Sequence, residues 1–140
     1  MAGFSLKSNL NEVEYRKVAV ASQAYTIGDV VMTQVTADAI DVVPGTSATL
    51  VQNVFGVAME TVASTATSLL VAIIEDSQKW ECETVNTVTT NDNHQRMVLT
   101  DKDTVNNTHT DSAADEAVVR QVGISGAKGV FNFILGGEST

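Results

Sequence analysis

The sequence predicts an all-β fold, a small β-sandwich or β-barrel domain with an extended N-terminal arm. The chain is 44% hydrophobic but only 5% aromatic, so its core must consist mainly of small and β-branched residues, which favour strands. Turn signals separate short apolar runs at intervals of about 8–12 residues, as in all-β sandwiches and barrels. We expect residues 1–17 to form the arm and residues 18–140 to form a single β-domain, since 140 residues suffice for one core.

In the arm, residues 1–17, apolar residues are spread among polar ones. Leu6, Leu10 and Val13 would share one face of a short helix, but such a helix is marginal by itself. We therefore interpret the arm as a segment that becomes ordered on contact with a partner; a frayed terminus is the alternative. Its three basic and two acidic residues leave it slightly positive, whereas the whole chain has a net charge of −9.

The first half of the body contains two clear strand patterns. Val18 and Val20 alternate with other residues, and Val30–Val35 is a β-branched run. Gly28 and Asp29 stand directly before this run and predict a turn that leads into it.

Further along, Pro44 and Gly45 suit the two central positions of a type II turn, because Pro fixes φ and Gly supplies a positive φ. One or two strands are expected between Leu50 and Met59. The run Leu69–Ile74 also satisfies helical spacing. The alternation in "KWECETV" after it favours a hairpin of two strands.

The second half combines polar loops with one clear hairpin. Residues 87–115 are rich in Asn, Thr and Asp, and we expect long polar loops there around a single short strand, "RMVLT". Near the end, "AVVRQVGIS" and "VFNFIL" flank the sequence Gly-Ala-Lys-Gly. This arrangement predicts a β-hairpin.

Charge and length exclude several classes of partner. The net charge of −9 argues against nucleic acid and against anionic membrane surfaces, because both would repel the protein. The longest apolar run, Leu69–Ile74, is far shorter than the roughly 20 residues of a membrane span. Cys82 is the single cysteine, so no intrachain disulfide can form, and a reduced site of synthesis is expected.

No arrangement of residues in the sequence indicates an enzyme. Glu81 and Glu83 are two apart on one predicted strand, which is typical of a solvated face rather than of a glycosidase pair. His94 and His109 lack the spacing of a zinc site. We therefore expect no catalytic residues and no metal ligands.

Two further segments resemble binding motifs only in part. Asp101 and Asp103 begin a calcium-like loop, but Val105 and Ser112 occupy positions that need ligands. Trp80 is interpreted as a core residue, with a sugar-stacking platform as the alternative. No cofactor is expected.

Three segments together resemble a known family. They are "AYTIGDVVM" (residues 24–32), "NVFGVAMET" (53–61) and "SLLVAIIEDSQKWECET" (68–84). In this order, as a Gly-Asp-Val-Val turn and strand, a Gly-Val-Ala strand and a short Val/Ile-rich hairpin, they are similar to the capsid-decoration, or cement, proteins of tailed bacteriophages. The resemblance covers roughly Tyr25 to Thr84, and residues 87–115 depart from it.

The resemblance implies a small, β-rich, non-enzymatic virion protein, often trimeric, that is made in the host cytoplasm and sits on the exterior of the expanded capsid. It implies the major capsid protein as partner, engaged through the N-terminal arm. The arm residues expected to bind the capsid are Phe4, Leu6, Lys7, Leu10, Val13, Tyr15, Arg16 and Lys17. The alternatives are another virion subunit, of a tail tube or fibre, and a carbohydrate-binding module that uses Trp80.

Overall fold

A computed structural model describes residues 3–7, 13–36, 39–47, 49, 53–75, 78–108 and 117–134. For residues 35, 36 and 39–41 it describes the backbone alone. The strands within these ranges are β1 (Ser5–Leu6), β2 (Tyr15–Ala19), β3 (Val30–Thr36), β4 (Ala39–Pro44), β5 (Val54–Ala58), β6 (Ser68–Ile73), β7 (Trp80–Cys82), β8 (Arg96–Asp101), β9 (Thr104–Asn106), β10 (Val119–Ser125) and β11 (Lys128–Phe133). A short 3-10 helix spans Thr90–Asp92.

The strands form two antiparallel sheets that pack as a β-sandwich, which confirms the predicted all-β class. Sheet A has the order β1-β7-β11-β10-β8-β9, and sheet B has the order β2-β6-β5-β3-β4. Among the strands of the described ranges, each sheet keeps two edges, so the sandwich and not the barrel is the architecture. Sheet B is built from the first half of the chain, whereas sheet A combines β1 with strands of the second half.

The main core lies between the sheets. Sheet B contributes Val30, Val57 and Ala72, and sheet A contributes large side chains that include Trp80 and Phe131. All five are fully buried. Burial of these apolar surfaces, at about 25 cal/mol per Å², is the main force that holds the sheets together.

A second apolar cluster lies on the other face of sheet B. It contains Val31, Leu69 and Val71, whose neighbours in the strands face the main core because side chains alternate between faces. The buried Tyr25 packs in this cluster, and its hydroxyl donates to the carbonyl oxygen of Val42 at 3.1 Å. Sheet B is therefore apolar on both faces, which explains the unusually continuous Val, Ile and Leu runs in its sequence.

The central strand β5 contains a bulge next to a required glycine. Val31 pairs with Gly56 and the next residue, Met32, pairs with Val54, so Phe55 is the extra residue. A Cβ atom on Gly56 would lie 2.2 Å from the carbonyl oxygen of Ala72. Only glycine lets β5 and β6 approach this closely.

The predicted hairpin between residues 69 and 84 is wrong. β6 lies in sheet B and β7 in sheet A, so the chain crosses from one sheet to the other between them. The buried Gln78 stabilises this crossing: its Oε1 accepts the amide of Glu75 at 2.8 Å, and its Nε2 donates to the carbonyl of Ile73 at 3.1 Å. Local alternation could not reveal the crossing, because each strand has its own buried face.

The type II turn predicted at Pro44 and Gly45 is also wrong. Pro44 is the last residue of β4 and pairs with Val31. Gly45 continues along β3, with its amide donating to the carbonyl of Val30 at 2.8 Å, and it is not among the glycines with positive φ. Pro44 is tolerated because β4 is an edge strand of sheet B.

Residues 87–108 contain more regular structure than predicted. The expected strand is β8, and it forms a hairpin with β9, which the polar sequence Thr-Val-Asn concealed. The predicted C-terminal hairpin is confirmed as β10 and β11. Its turn is Gly126 and Ala127 alone, with Gly126 at φ +61° in the first turn position, where a type II′ turn places glycine.

Candidate functional site

Residues Gly3–Lys7, which we call the strap, lie in the sandwich rather than beyond it. Within the strap, Ser5 is opposite Glu81 and Leu6 is opposite Trp80 in the β1–β7 ladder. Phe4 is only 4% exposed and packs against Phe133, with ring centroids 5.0 Å apart. The arm was expected to wait for a partner, but the apolar surface of its first described residues is buried in the chain's own core.

Backbone hydrogen bonds hold the strap along its length. The Gly3 amide donates to the carbonyl of Asp103 at 3.0 Å, and the Phe4 amide donates to the carbonyl of Gly28 at 2.8 Å. The Lys7 amide donates to the carbonyl of Lys79 at 2.7 Å. The three acceptors lie in three separate turns or strands, so the strap ties these parts of the fold together.

The later described part of the predicted arm lies in sheet B. Tyr15, Arg16 and Lys17 belong to β2, which pairs with β6, so the boundary expected at residue 17 falls inside a strand. Val13 is partly buried against the main core, and Leu10 is outside the described residues. The structure thus divides the predicted capsid-binding residues between two sheet edges, with Phe4, Leu6 and Lys7 on sheet A and Tyr15, Arg16 and Lys17 on sheet B.

β2 presents an exposed backbone edge. The Glu14 carbonyl accepts from Ile73 and the Val20 amide donates to Thr67, so the even-numbered residues of this segment face β6. In an antiparallel ladder the residues between them direct their N–H and C=O groups away from the partner strand. Tyr15, Lys17 and Ala19 therefore present their backbone groups to the outer edge, and sheet B has no further strand there within the described part of the chain.

The side chains on this edge are polar and charged. Tyr15 is 48% exposed. The Arg16 guanidinium bonds to the Glu14 carboxylate, and Lys17 Nζ donates to Glu60 Oε2 at 3.0 Å. The same Glu60 oxygen accepts the Leu70 amide at 2.7 Å, and the hydrogen bond from Lys17, with that from Leu70, lowers the pKa of Glu60. Charged side chains on an edge strand discourage indiscriminate pairing with other strands.

The Gly28-Asp29 turn is where the strap meets sheet B. Gly28 adopts φ +98° and Gly3 adopts φ +109°. The two glycines pack against each other, and a Cβ atom on either would lie 3.1 Å from the Cα atom of the other. Glycine is required at both positions, first by the positive φ and second by the close approach.

Asp29 is a fully buried carboxylate in this turn. Its Oδ2 accepts the Thr26 amide at 2.8 Å and lies 3.6 Å from Lys102 Nζ. Its Oδ1 has no hydrogen-bond partner among the described residues. Burial raises the pKa of Asp29, and the nearby Asp101 adds to this rise. The hydrogen bond from the Thr26 amide and the charge of Lys102 oppose it.

Two residues singled out in the sequence are core residues. Trp80 is 0% exposed, and its Nε1 donates to Gln78 Oε1 at 3.2 Å. A buried indole cannot stack on a sugar, so the carbohydrate-binding alternative loses its platform. Cys82 is also fully buried, and burial raises the pKa of its thiol to about 12, which leaves it unreactive.

Sequence reasoning missed the link between the strap and the Gly28 turn. The turn was expected only to lead into β3, and Phe4 was expected to contact a partner. One signal was present, because an aromatic side chain such as Phe4 carries a large apolar surface whose burial stabilises a core. The acceptor for that residue, however, lies more than twenty residues along the chain.

Among the residues that the structure describes, no group of three or more His, Cys, Asp or Glu side chains could hold a metal ion. No helix in the described ranges is long and apolar enough to cross a membrane. A scan against protein-family models found no match, and neither did a search of curated proteins.

Proposed function

We propose that this protein is a non-enzymatic structural protein that binds the exterior of the expanded capsid of a tailed bacteriophage and stabilises it. The observation that carries the proposal is the placement of the two segments with the family pattern. Gly28-Asp29 leads into β3, Gly56-Val57-Ala58 lies in β5, and these two strands pair with each other in sheet B. Two of the three segments of the resemblance therefore lie on paired strands of sheet B, and the third begins in β6, which pairs with β5, and crosses to β7 in sheet A.

The β2 edge supports a capsid-binding role. It offers the outward N–H and C=O groups of Tyr15, Lys17 and Ala19 at the margin of a stable sheet. An extended segment of a capsid subunit can add to such an edge, with main-chain hydrogen bonds supplying affinity and side chains supplying selectivity. We therefore assign capsid binding to β2, with Tyr15, Arg16 and Lys17 as contact residues. Phe4 and Leu6 then serve as structural residues.

Stabilisation follows from linkage. A protein that binds the assembled shell, and not its separate subunits, shifts the equilibrium toward the shell by mass action. Attachment of a trimer at several points multiplies the effect, because the second and third contacts form at high effective concentration. The net charge of −9 is compatible with the particle exterior, away from packaged DNA.

The first test asks whether purified virions contain this chain. Virions carrying this gene are purified on a density gradient, and the chain is quantified by mass spectrometry against the major capsid protein. A fixed ratio, with electron microscopy locating the chain on the head, supports the proposal. Absence of the chain from virions would refute the proposal. Presence of the chain on the tail alone would support the tail-subunit alternative instead.

A pair of variants tests the β2 edge. Lys17→Pro removes one outward N–H and adds a ring on the free side of β2, where proline is tolerated within an edge strand. Lys17→Ala removes the same side chain and its ion pair with Glu60 but keeps the N–H. On heads assembled without the chain, we expect Lys17→Pro to bind up to about tenfold more weakly than Lys17→Ala, the effect of roughly one lost hydrogen bond. Equal binding of the two variants would remove the edge from the proposal.

A further inference from the structure

The groove that holds the strap recognises it at three positions. Gly3 is selected because any side chain there would meet the backbone of Gly28. Phe4 is selected by the apolar site beside Phe133. Lys7 is selected by Glu81, with Lys7 Nζ 3.3 Å from Glu81 Oε2.

These contacts join the strap to other parts of the fold that together form a groove. The groove consists of the β7 edge, Phe133 and the carbonyls of Gly28, Lys79 and Asp103, and it holds the five residues of the strap. The segment is followed by residues 8–12, after which the chain continues in β2 at the edge of the other sheet. An identical strap from another molecule would make the same contacts.

We propose that this groove is a strand-exchange site that accepts the strap of a second copy of this chain. Exchange of an identical element between protomers replaces each contact by its equivalent, so only the connecting segment changes. From Lys7 to Val13 that segment can span about 20 Å when extended. Exchange therefore joins copies whose sheet edges lie within this distance, and it does so whether or not the protein binds a capsid.

The length of the connecting segment between the strap and β2 determines the concentration at which exchange occurs. A strap joined by a short connection competes for its own groove at an effective concentration in the millimolar range. Exchange is therefore favoured when copies are concentrated to about 1 mM or are held side by side by another contact.

Disulfide trapping between full-length chains tests the proposal. Ser5 and Glu81 are directly opposite in the ladder, and the Cα separation of such pairs, about 4.5–5.5 Å, allows a disulfide. A Ser5→Cys chain and a Glu81→Cys chain are mixed at about 1 mM, incubated, diluted and oxidised. The linked heterodimer is quantified by mass spectrometry without reduction. The native Cys82 is buried and does not compete.

The matched control is a Thr65→Cys chain, whose cysteine is exposed at a distant turn of sheet B. We expect the Ser5→Cys and Glu81→Cys pair to give at least about tenfold more heterodimer than the Ser5→Cys and Thr65→Cys pair, because the strap is held beside residue 81. Equal yields from the two pairs would mean that linkage is collisional, and would overturn the proposal. This comparison decides the question by itself.

A second variant locates the exchange in the groove. Gly28→Ala in the Glu81→Cys chain places a methyl group against Gly3, and we expect it to abolish the excess heterodimer. Gly123→Ala, whose added methyl group would make an ordinary contact with the Val130 side chain at 4.0 Å, should leave it unchanged. Retention of the excess heterodimer in a folded Gly28→Ala chain would contradict the proposal.

Discussion

At the scale of single residues, glycines fix the closest approaches in this protein. Gly56 lets the backbone of β5 pass against Ala72 in β6, at the point where the Phe55 bulge changes the register. Gly3 and Gly28 do the same for the strap. In each case glycine is required because a Cβ atom would collide with the backbone of the neighbouring segment, which cannot move aside.

Gly56→Ala should lower the free energy of unfolding by about 3 kcal/mol, since its Cβ would lie 2.2 Å from a carbonyl oxygen in a packed sheet. Gly123→Ala, which meets no atom closer than 4.0 Å, is the control and should have little effect. Urea unfolding of both variants measures the difference. Similar midpoints for the two would show that β5 and β6 can separate at low cost.

Asp29 gives the stability a specific dependence on pH. Burial raises its pKa above the ordinary value of 3.8, so the folded state holds the proton more tightly than the unfolded state does. Its contribution is therefore most favourable below pH 3.8 and is lost as the pH rises through the folded-state pKa. Asp101, Asp103 and Lys102 lie close by and shift the same equilibrium.

Asp29→Asn removes this titration. The unfolding free energy of the wild type minus that of Asp29→Asn should fall as the pH rises from about 4 to about 7. Urea unfolding of both chains across this range checks the trend. A difference that stays constant, or that rises with pH, would mean that the carboxyl is not held at a raised pKa.

At the scale of elements, the strap contains the shortest of the described strands, and it links several separate parts of the fold. β1 has two residues, too few to persist by pairing alone, and it depends on the burial of Phe4 for its place. In return it closes one edge of sheet A and joins the Gly28 and Asp103 turns. The strap thus stabilises the β7 edge, the Gly28 turn and the Asp103 turn.

Phe4→Ala should destabilise the fold by about 3 kcal/mol, as expected for the loss of a buried phenylalanine. Ser5→Ala, an exposed position in the same strand, should change stability by less than about 0.5 kcal/mol. Thermal or urea unfolding distinguishes a strap from a free arm. If Phe4→Ala were as stable as Ser5→Ala, the strap would not be part of the folded core.

At the scale of the whole molecule, the two sheets share one core and should unfold together. Trp80 belongs to sheet A but packs in a cluster that includes Val30, Val57 and Ala72 of sheet B. Its fluorescence therefore reports on the joint between the sheets. The strap adds a second joint, because it pairs with sheet A and bonds to the Gly28 turn at the start of β3.

We expect the native emission of Trp80 to be blue-shifted, since the indole is 0% exposed, and to shift to the red in a single transition on unfolding. The transition followed by far-UV circular dichroism should coincide with it, as two-state behaviour requires. Separate transitions by the two probes would show that one sheet unfolds before the other.

Local chemistry was sufficient to predict the all-β class, most strand positions and the C-terminal hairpin. Alternating Val, Ile and Phe residues specify strands whatever the partner, and the Gly126-Ala127 turn brings adjacent strands together without help from the rest of the chain. The burial of Trp80 and Cys82 followed from the same alternation.

Only the tertiary structure decided which sheet each strand joins and where the first residues go. β6 and β7 carry similar local patterns but lie in different sheets, because Gln78 and the shared core favour a crossing over a hairpin. Phe4 is buried because Phe133, remote in sequence, packs against its ring, while the carbonyls of Gly28, Lys79 and Asp103 hold the strap backbone in place. Such pairings depend on contacts between distant residues, which periodicity and turn signals along the chain do not encode.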